Sequence, residues 1–233
     1  MNSFLLIILI IVVVNIYGII NINKYNKNST VQTLNSNNNI DIKDSLLELN
    51  PLILKNVSTN YTDLNKLSLK YLSDNNKGYI VNDNNKNISF DIFNNSNKVS
   101  LYHNAKCIND FNIDTSLNKI IEIFNTNLSC NINHYLNIFK GRQETSILTQ
   151  KNDTCIYTLV EGECIFYLIN PKYHENIKDN KHIKKWSNKI IIQSGNILYI
   201  PPNWKYYYTS NDTTLLTLST SDKYYTYIYN LFK

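Results

Sequence analysis

The residues able to ligate a metal or attack a substrate are few and poorly spaced for either task. The four histidines are His103, His134, His174 and His182, and none forms a His-x-Asp/Glu motif or an i,i+4 pair. The four cysteines are Cys107, Cys130, Cys155 and Cys164. None belongs to a Cys-x-x-Cys pair, so a zinc site is not expected. An even count allows a Cys107–Cys130 bridge, and four buried free thiols fit equally well. No Gly-x-Ser-x-Gly elbow and no paired Cys/His signature supports nucleophilic catalysis. The second half is instead rich in aromatic residues: Tyr157, Tyr199, Trp204, Tyr206 and Tyr208. Tyrosines give large contact area at low entropy cost, so they suit either a filled cavity or a binding surface.

The elements that must position these residues are mostly strands. Apolar or alternating runs predict strands at Tyr135–Phe139, Thr145–Thr149, Cys155–Val160, Cys164–Ile169, Lys189–Gln193, Ile197–Ile200, Lys205–Thr209 and Thr214–Leu218. Glu161-Gly162 predicts a tight hairpin turn between two of them. Earlier, Pro51 opens a short apolar run through Val57, and strand-like runs follow Gly78, Asn87 and Lys98. Short helices are expected at Ser45–Leu49, around Leu64–Leu72, and at Ser116–Phe124, where Leu117, Ile120, Ile121 and Phe124 have helical spacing. Tyr224–Phe232 is expected to be a packing helix or a last strand. Many short strands predict a sandwich or barrel. We expect a mainly β domain over 41–233, a double-stranded β-helix with a few peripheral helices.

The amino terminus is different. Phe4 to Ile20 is nearly all hydrocarbon, without a charge. Seventeen helical residues span about 26 Å, close to a bilayer core. No basic residue precedes Phe4 and no small-residue cleavage site lies near Gly18, so an uncleaved single-pass anchor over 1–22 is expected rather than a signal peptide. Lys24, Lys27 and Lys43 favour the cytoplasmic side for the domain and leave the lumenal side open. Residues 23–40 are Asn-rich with little to bury, which predicts a flexible tether.

The formal net charge is +5. The densest basic run holds Lys178, Lys181, Lys184, Lys185 and Lys189 and has no arginine. Phosphate recognition favours the arginine fork, so a solvated loop is expected there and no nucleic acid. Ala105 and Arg142 are the only residues of their types. That bias fits an AT-rich genome such as that of a parasite or large DNA virus.

The run Ser194-Gly-Asn-Ile-Leu-Tyr-Ile-Pro-Pro-Asn-Trp-Lys-Tyr-Tyr-Tyr208 resembles the Pro-Gly-Asp-hydrophobic-Leu-Tyr-Ile-Pro-Pro-Gly-Trp-Trp-His run of cupin-like, JmjC-type (asparaginyl-hydroxylase-like) domains. Asn50–Val57 with Tyr61 and Leu67–Leu72, Gly141–Lys151, and Tyr157–Pro171 resemble further segments of that family in the right order. The likeness covers nearly all of residues 45–220. It implies a jelly roll in which two His and one carboxylate hold Fe(II) beside 2-oxoglutarate. Carried over by position, the first His falls on Thr149, the carboxylate on Lys151 and the second His on Tyr206. The lysine that pairs with 2-oxoglutarate falls on Cys164. Asp153 lies two residues past the carboxylate position. With all four positions changed, the resemblance implies an inactive relative with no metal, no cofactor and no catalytic residue. Such a relative would serve as a membrane-anchored binding or structural module with a protein partner. The alternative is an active Fe(II)/2-oxoglutarate hydroxylase with atypical ligands.

Overall fold

The structure is a computed structural model that describes residues 3–22, 30–35, 39–57, 61–83, 86–89, 91, 95, 99–124, 129–177, 183–210, 214–224 and 226–227. Helix α1 covers Ser3–Ile22, β1 Gln32–Asn35, α2 Asn39–Leu47 and β2 Leu52–Lys55. A 3-10 helix, Thr62–Leu67, leads into α3, Leu69–Asn75. Strands β3 (Ile80–Asp83), β4 (Lys86–Ser89) and β5 (Val99–Asn104) follow, then α4 (Ala105–Asp110) and α5 (Asp114–Phe124). The β-rich half holds β6 (Ser129–Lys140), β7 (Gln143–Glu144), β8 (Leu148–Thr149), β9 (Thr154–Glu161) and β10 (Glu163–Ile169). A second 3-10 helix (Pro171–Asn176) and α6 (Ile183–Trp186) precede β11 (Ser187–Gln193), β12 (Ile197–Tyr199), β13 (Lys205–Ser210) and β14 (Thr214–Lys223).

These strands form a seven-stranded sheet, β1-β2-β12-β9-β14-β6-β5, and a five-stranded sheet, β11-β10-β13-β7 with β8 also on β13. Neither closes on itself, so there is no closed barrel. The large sheet is buried on both faces. Leu52, Leu54, Leu136, Ile138, Ile156, Ile197, Tyr199 and Leu215 meet the helices through Leu64, Leu72, Leu117, Ile120 and Phe124. The alternate residues Phe139, Tyr157, Leu159, Leu198, Leu216 and Leu218 meet Phe166, Leu168, Ile190, Ile192, Tyr206 and Tyr208 of the small sheet. Period-two side-chain alternation therefore sorts one sheet between two cores.

Two expectations need correction here. Glu161-Gly162 does not make a hairpin: β9 and β10 lie in different sheets, and the chain crosses between them there, with Gly162 at φ 89°. A two-residue turn rich in φ freedom serves a sheet corner as well as a hairpin. Residues 23–40 are not all tether, because β1 pairs in parallel with β2, Gln32 opposite Leu52. Its Val31 and Leu34 pack against the cores, enough to hold a short edge strand. All four cysteines are free.

The single-pass anchor expected at 4–20 is also unsupported: among the described residues no helix is long and apolar enough to cross a membrane. Helix α1 carries an apolar run from Leu5 to Val14. Within that run the large apolar side chains stand exposed. Lys178, Lys181, His182 and most of the aromatic tail lie outside the described residues.

The corner from β12 to β13 sets the geometry of the core. Pro201 and Pro202 lack the N–H a ladder needs, so β12 stops. Asn203 turns the chain at φ 67°, the left-handed region that asparagine tolerates better than other side chains. It stands where the resembled motif has glycine. Asn203→Gly should leave stability within about 0.5 kcal/mol, whereas a β-branched Asn203→Val should cost about 1–3 kcal/mol. Urea unfolding midpoints measure both, and equal effects would remove the left-handed constraint as their cause.

Candidate functional site

Backbone hydrogen bonds clip this corner to the strands beside it. Ile200 N–H donates to Cys155 O at 2.9 Å, Asn203 N–H to Gln150 O at 2.9 Å, and Gln150 N–H to Trp204 O at 2.9 Å. Trp204 is wholly buried, so the corner is also anchored by its ring. The clip fixes which residues of β13 face inward. Tyr206 and Tyr208 enter the core between the sheets, while Lys205, Tyr207 and Thr209 take the outer face.

The four family positions do not converge. Thr149 is exposed and pairs with Lys205 on the outer side of the small sheet. Leu148, its neighbour, is the residue opposite Tyr206 and packs against the core. Lys151 is exposed beyond the strand end. Cys164 and Tyr206 are buried. The expected tyrosine group divides as well. Tyr199 faces the helices and stacks on Phe124, centroids 5.7 Å apart at 19°. Tyr157, Tyr206, Tyr208 and Trp204 share the inter-sheet core.

There the hydroxyls of Tyr157 and Tyr206 lie 2.9 Å apart in a hydrogen bond between the two sheets. Their rings meet edge to face at 5.8 Å and 71°. Tyr157 also meets Tyr208 at 5.6 Å and Phe166 at 5.0 Å, and Phe139 meets Tyr208 at 5.7 Å. Edge and tilted contacts of this kind are the favoured aromatic geometry. Burial holds the phenols of Tyr157, Tyr206 and Tyr208 well above their ordinary value. It also lifts the Cys155 thiol to about 12, against a partial offset from its hydrogen bond with Tyr206. Cys164 is pushed to about 12 by burial and then by the charge of Glu163, and its Sγ donates to Thr209 O at 3.6 Å. The layer is therefore neutral at physiological pH.

This donor set does not fit Fe(II) with 2-oxoglutarate. A metal-binding tyrosine must be a phenolate, and Tyr206 is a buried phenol bonded to another phenol. Thr149 points away from Tyr206, and the Lys151 cation sits in solvent. Cys164 offers no positive charge to a carboxylate. Among the described residues no group of three His, Cys, Asp or Glu could hold a metal. His134 is engaged by the Ser219 hydroxyl at 2.8 Å and Asn118 Oδ1 at 2.9 Å, and burial lowers its pKa. His103 lies against Tyr135. His174 lies in the second 3-10 helix, and His182 lies outside the described residues.

Asp153, the nearest spare carboxylate, is already engaged. It accepts from Lys223 N–H at 2.8 Å, and its own N–H donates to Asp222 at 3.4 Å. Asp222 is only 2% exposed, at the bulge of β14, and accepts from Asn152 Nδ2 at 3.1 Å and Asn131 Nδ2 at 3.3 Å. Nothing in the sequence marks this cluster, because its members come from three separate strand ends. It ties the start of β9 to β14 and β6 and has no open ligand position.

Two results should follow. Tyr206→Phe leaves the buried Tyr157 hydroxyl unpaired and should cost about 1–3 kcal/mol, Tyr157→Phe should cost less because the Cys155 thiol still meets the Tyr206 hydroxyl, and the double variant should cost less than the sum. Additive losses in a denaturation cycle would remove the pairing. Burial raises the Asp222 carboxyl above its ordinary 3.8. Its contribution is therefore full below that value and lost as pH rises through the raised one. Asp222→Asn should gain stability relative to the native chain as pH climbs from the acid side, and a difference independent of pH would refute it.

No protein-family model matches the chain and no curated protein matches it, so what the site does must be argued from its geometry.

Proposed function

We propose that this chain is a membrane-held, cupin-like (JmjC-like) domain that has no oxygenase activity and serves as a binding or structural module. The observation that carries it is the Tyr157–Tyr206 hydrogen bond. It seals the core where the resembled domains place their second metal ligand. Along the chain, β8, β9 and β10, and then β11, β12, β13 and β14, step between the two sheets. That alternation supports a double-stranded β-helix, and it makes the loss of metal chemistry a change of side chains within a kept frame. A frame without a reaction retains its surfaces, so its work is to hold a partner.

Membrane attachment is proposed through residues 4–20. Leu5 to Val14 winds through nearly three turns with large apolar side chains exposed on every side. A helix apolar all round is stable in lipid or in a protein core and not in water.

The test is thermal melting of the full chain in detergent with Fe(II) or Mn(II) and 2-oxoglutarate. An oxygenase at a hundredfold excess of ligand over Kd would gain about 2.7 kcal/mol, which raises Tm by roughly 5–10 °C for a chain of this size. The expected shift is none, and a shift of that order would restore the hydroxylase reading. Alkaline carbonate should leave the chain in the membrane pellet, whereas release into the supernatant would sink the attachment.

A further inference from the structure

We infer that the outer face of the five-stranded sheet docks against an anionic lipid headgroup layer. The inference draws on the proposed attachment of α1 for proximity and on its own chemistry for specificity. Odd-numbered residues of β10, β11 and β13 line this face. Tyr167 stands opposite Lys189 on one side and Tyr207 on the other. The two tyrosine rings stack at 4.6 Å and 4°. Ile191, next along β11, is 49% exposed. The excursion between β10 and β11 lies over the same face, where Ile183 of α6 packs with Ile169 and Tyr207. It brings Lys184 Nζ 6.0 Å from the Tyr167 ring, Lys185 Nζ 5.4 Å from Trp186 and Lys172 Nζ 4.8 Å from Tyr173. Tyr173 and Trp186 are themselves 5.1 Å apart.

Lys172, Lys184, Lys185 and Lys189 are exposed and Lys205 half-buried. The carboxylates near them among the described residues are Glu163 on β10, Glu175 on the second 3-10 helix and Glu144 on the β7 edge. Among the described residues named here, the five lysines outnumber the three carboxylates. Lysine is a compact charge without a fixed fork, which suits a layer of mobile headgroups rather than one shaped phosphate site. Tyrosine and tryptophan are side chains that settle at the headgroup level, and the exposed Ile191 offers a hydrocarbon to the acyl region beneath. A nucleic-acid platform needs open ring faces for bases, and here Tyr167 and Tyr207 cover each other. The ten residues from the end of α1 at Ile22 to the start of β1 at Gln32 reach at most about 35 Å. A domain so tethered meets the surface at high effective concentration.

The test reconstitutes the full chain into phosphatidylcholine vesicles with brominated acyl chains, with or without about 30% phosphatidylserine. Trp186 reports contact, and Trp204, wholly buried in the other core, supplies a background that Trp186→Phe isolates. Quenching of Trp186 should appear with phosphatidylserine and fade in about 0.5 M salt. It should also be lost in a K172Q/K184Q/K185Q/K189Q variant of unchanged melting temperature. No serine-lipid-dependent quenching in a chain that still resists carbonate overturns this inference and leaves the attachment standing. Carbonate release together with serine-lipid-dependent binding does the reverse. Polyadenylate that binds the face more tightly than the serine-lipid vesicles assigns it to nucleic acid and also overturns the inference.

Discussion

The contact between the two sheets is the interaction on which the rest of the domain depends. Tyr157 reaches from the large sheet and Tyr206 from the small one, and their hydroxyls satisfy each other in a core that offers little else. A lone phenol hydroxyl there would carry a desolvation cost of about 1–3 kcal/mol. Paired, the two rings keep their packing area and the hydroxyls fix a register. The β12–β13 corner makes that pairing possible. Its three backbone bonds to Cys155 and Gln150 hold β13 so that Tyr206 points inward. A slip of one residue would send Lys205 and Tyr207 into the core instead.

The same interaction fills the space between the sheets around Tyr206. Close packing penalises a void, and a polar void lined by unpaired donors is worse. Tyrosine fills more volume than histidine, and its one polar atom finds a partner across the gap. The outward positions carry no such penalty. Thr149 and Lys151 sit in solvent, where a lysine needs no counter-charge. Cys164 and Tyr206 are packing residues, and Thr149 and Lys151 are ordinary surface residues.

The strands of the second half were largely legible in sequence, since each alternates or is wholly apolar and ends at Gly, Pro or a polar cluster. Helix α5 was legible from Leu117, Ile120, Ile121 and Phe124, all of which are buried. Sheet membership was not. Glu161-Gly162 allows either a hairpin or a crossing, and the choice is made by partners far along the chain, β12 for β9 and β13 for β10. Strand β1 escaped notice because Gln-Thr-Leu-Asn has one apolar side chain and is held by its parallel ladder to β2. At the site, Tyr206 and Tyr157 were nameable from sequence, but Tyr199 was placed on the wrong face. The apolar run Ile197-Leu-Tyr-Ile lies in a sheet buried on both sides, so hydrophobicity does not say which residues face which core.

The helical layer decides which sheet faces stay open. Helices α2, α3, α4 and α5 cover one face of the large sheet, and the small sheet covers the other. Neither face of the large sheet is left for a partner. Glu161 Oε2, at the sheet crossing, accepts from Leu69 N–H at 2.7 Å and so ties the first turn of α3 to the β9–β10 corner. The helices are thus bolted to the same crossing that separates the two sheets. Of the four faces of the two larger sheets, three are spent on internal packing among the described residues, and the outer face of the small sheet is free to differ in composition. That face is where lysine, stacked tyrosine and an exposed isoleucine collect. This surface can change without disturbing either core, because alternation along β10, β11 and β13 separates the two sets of side chains.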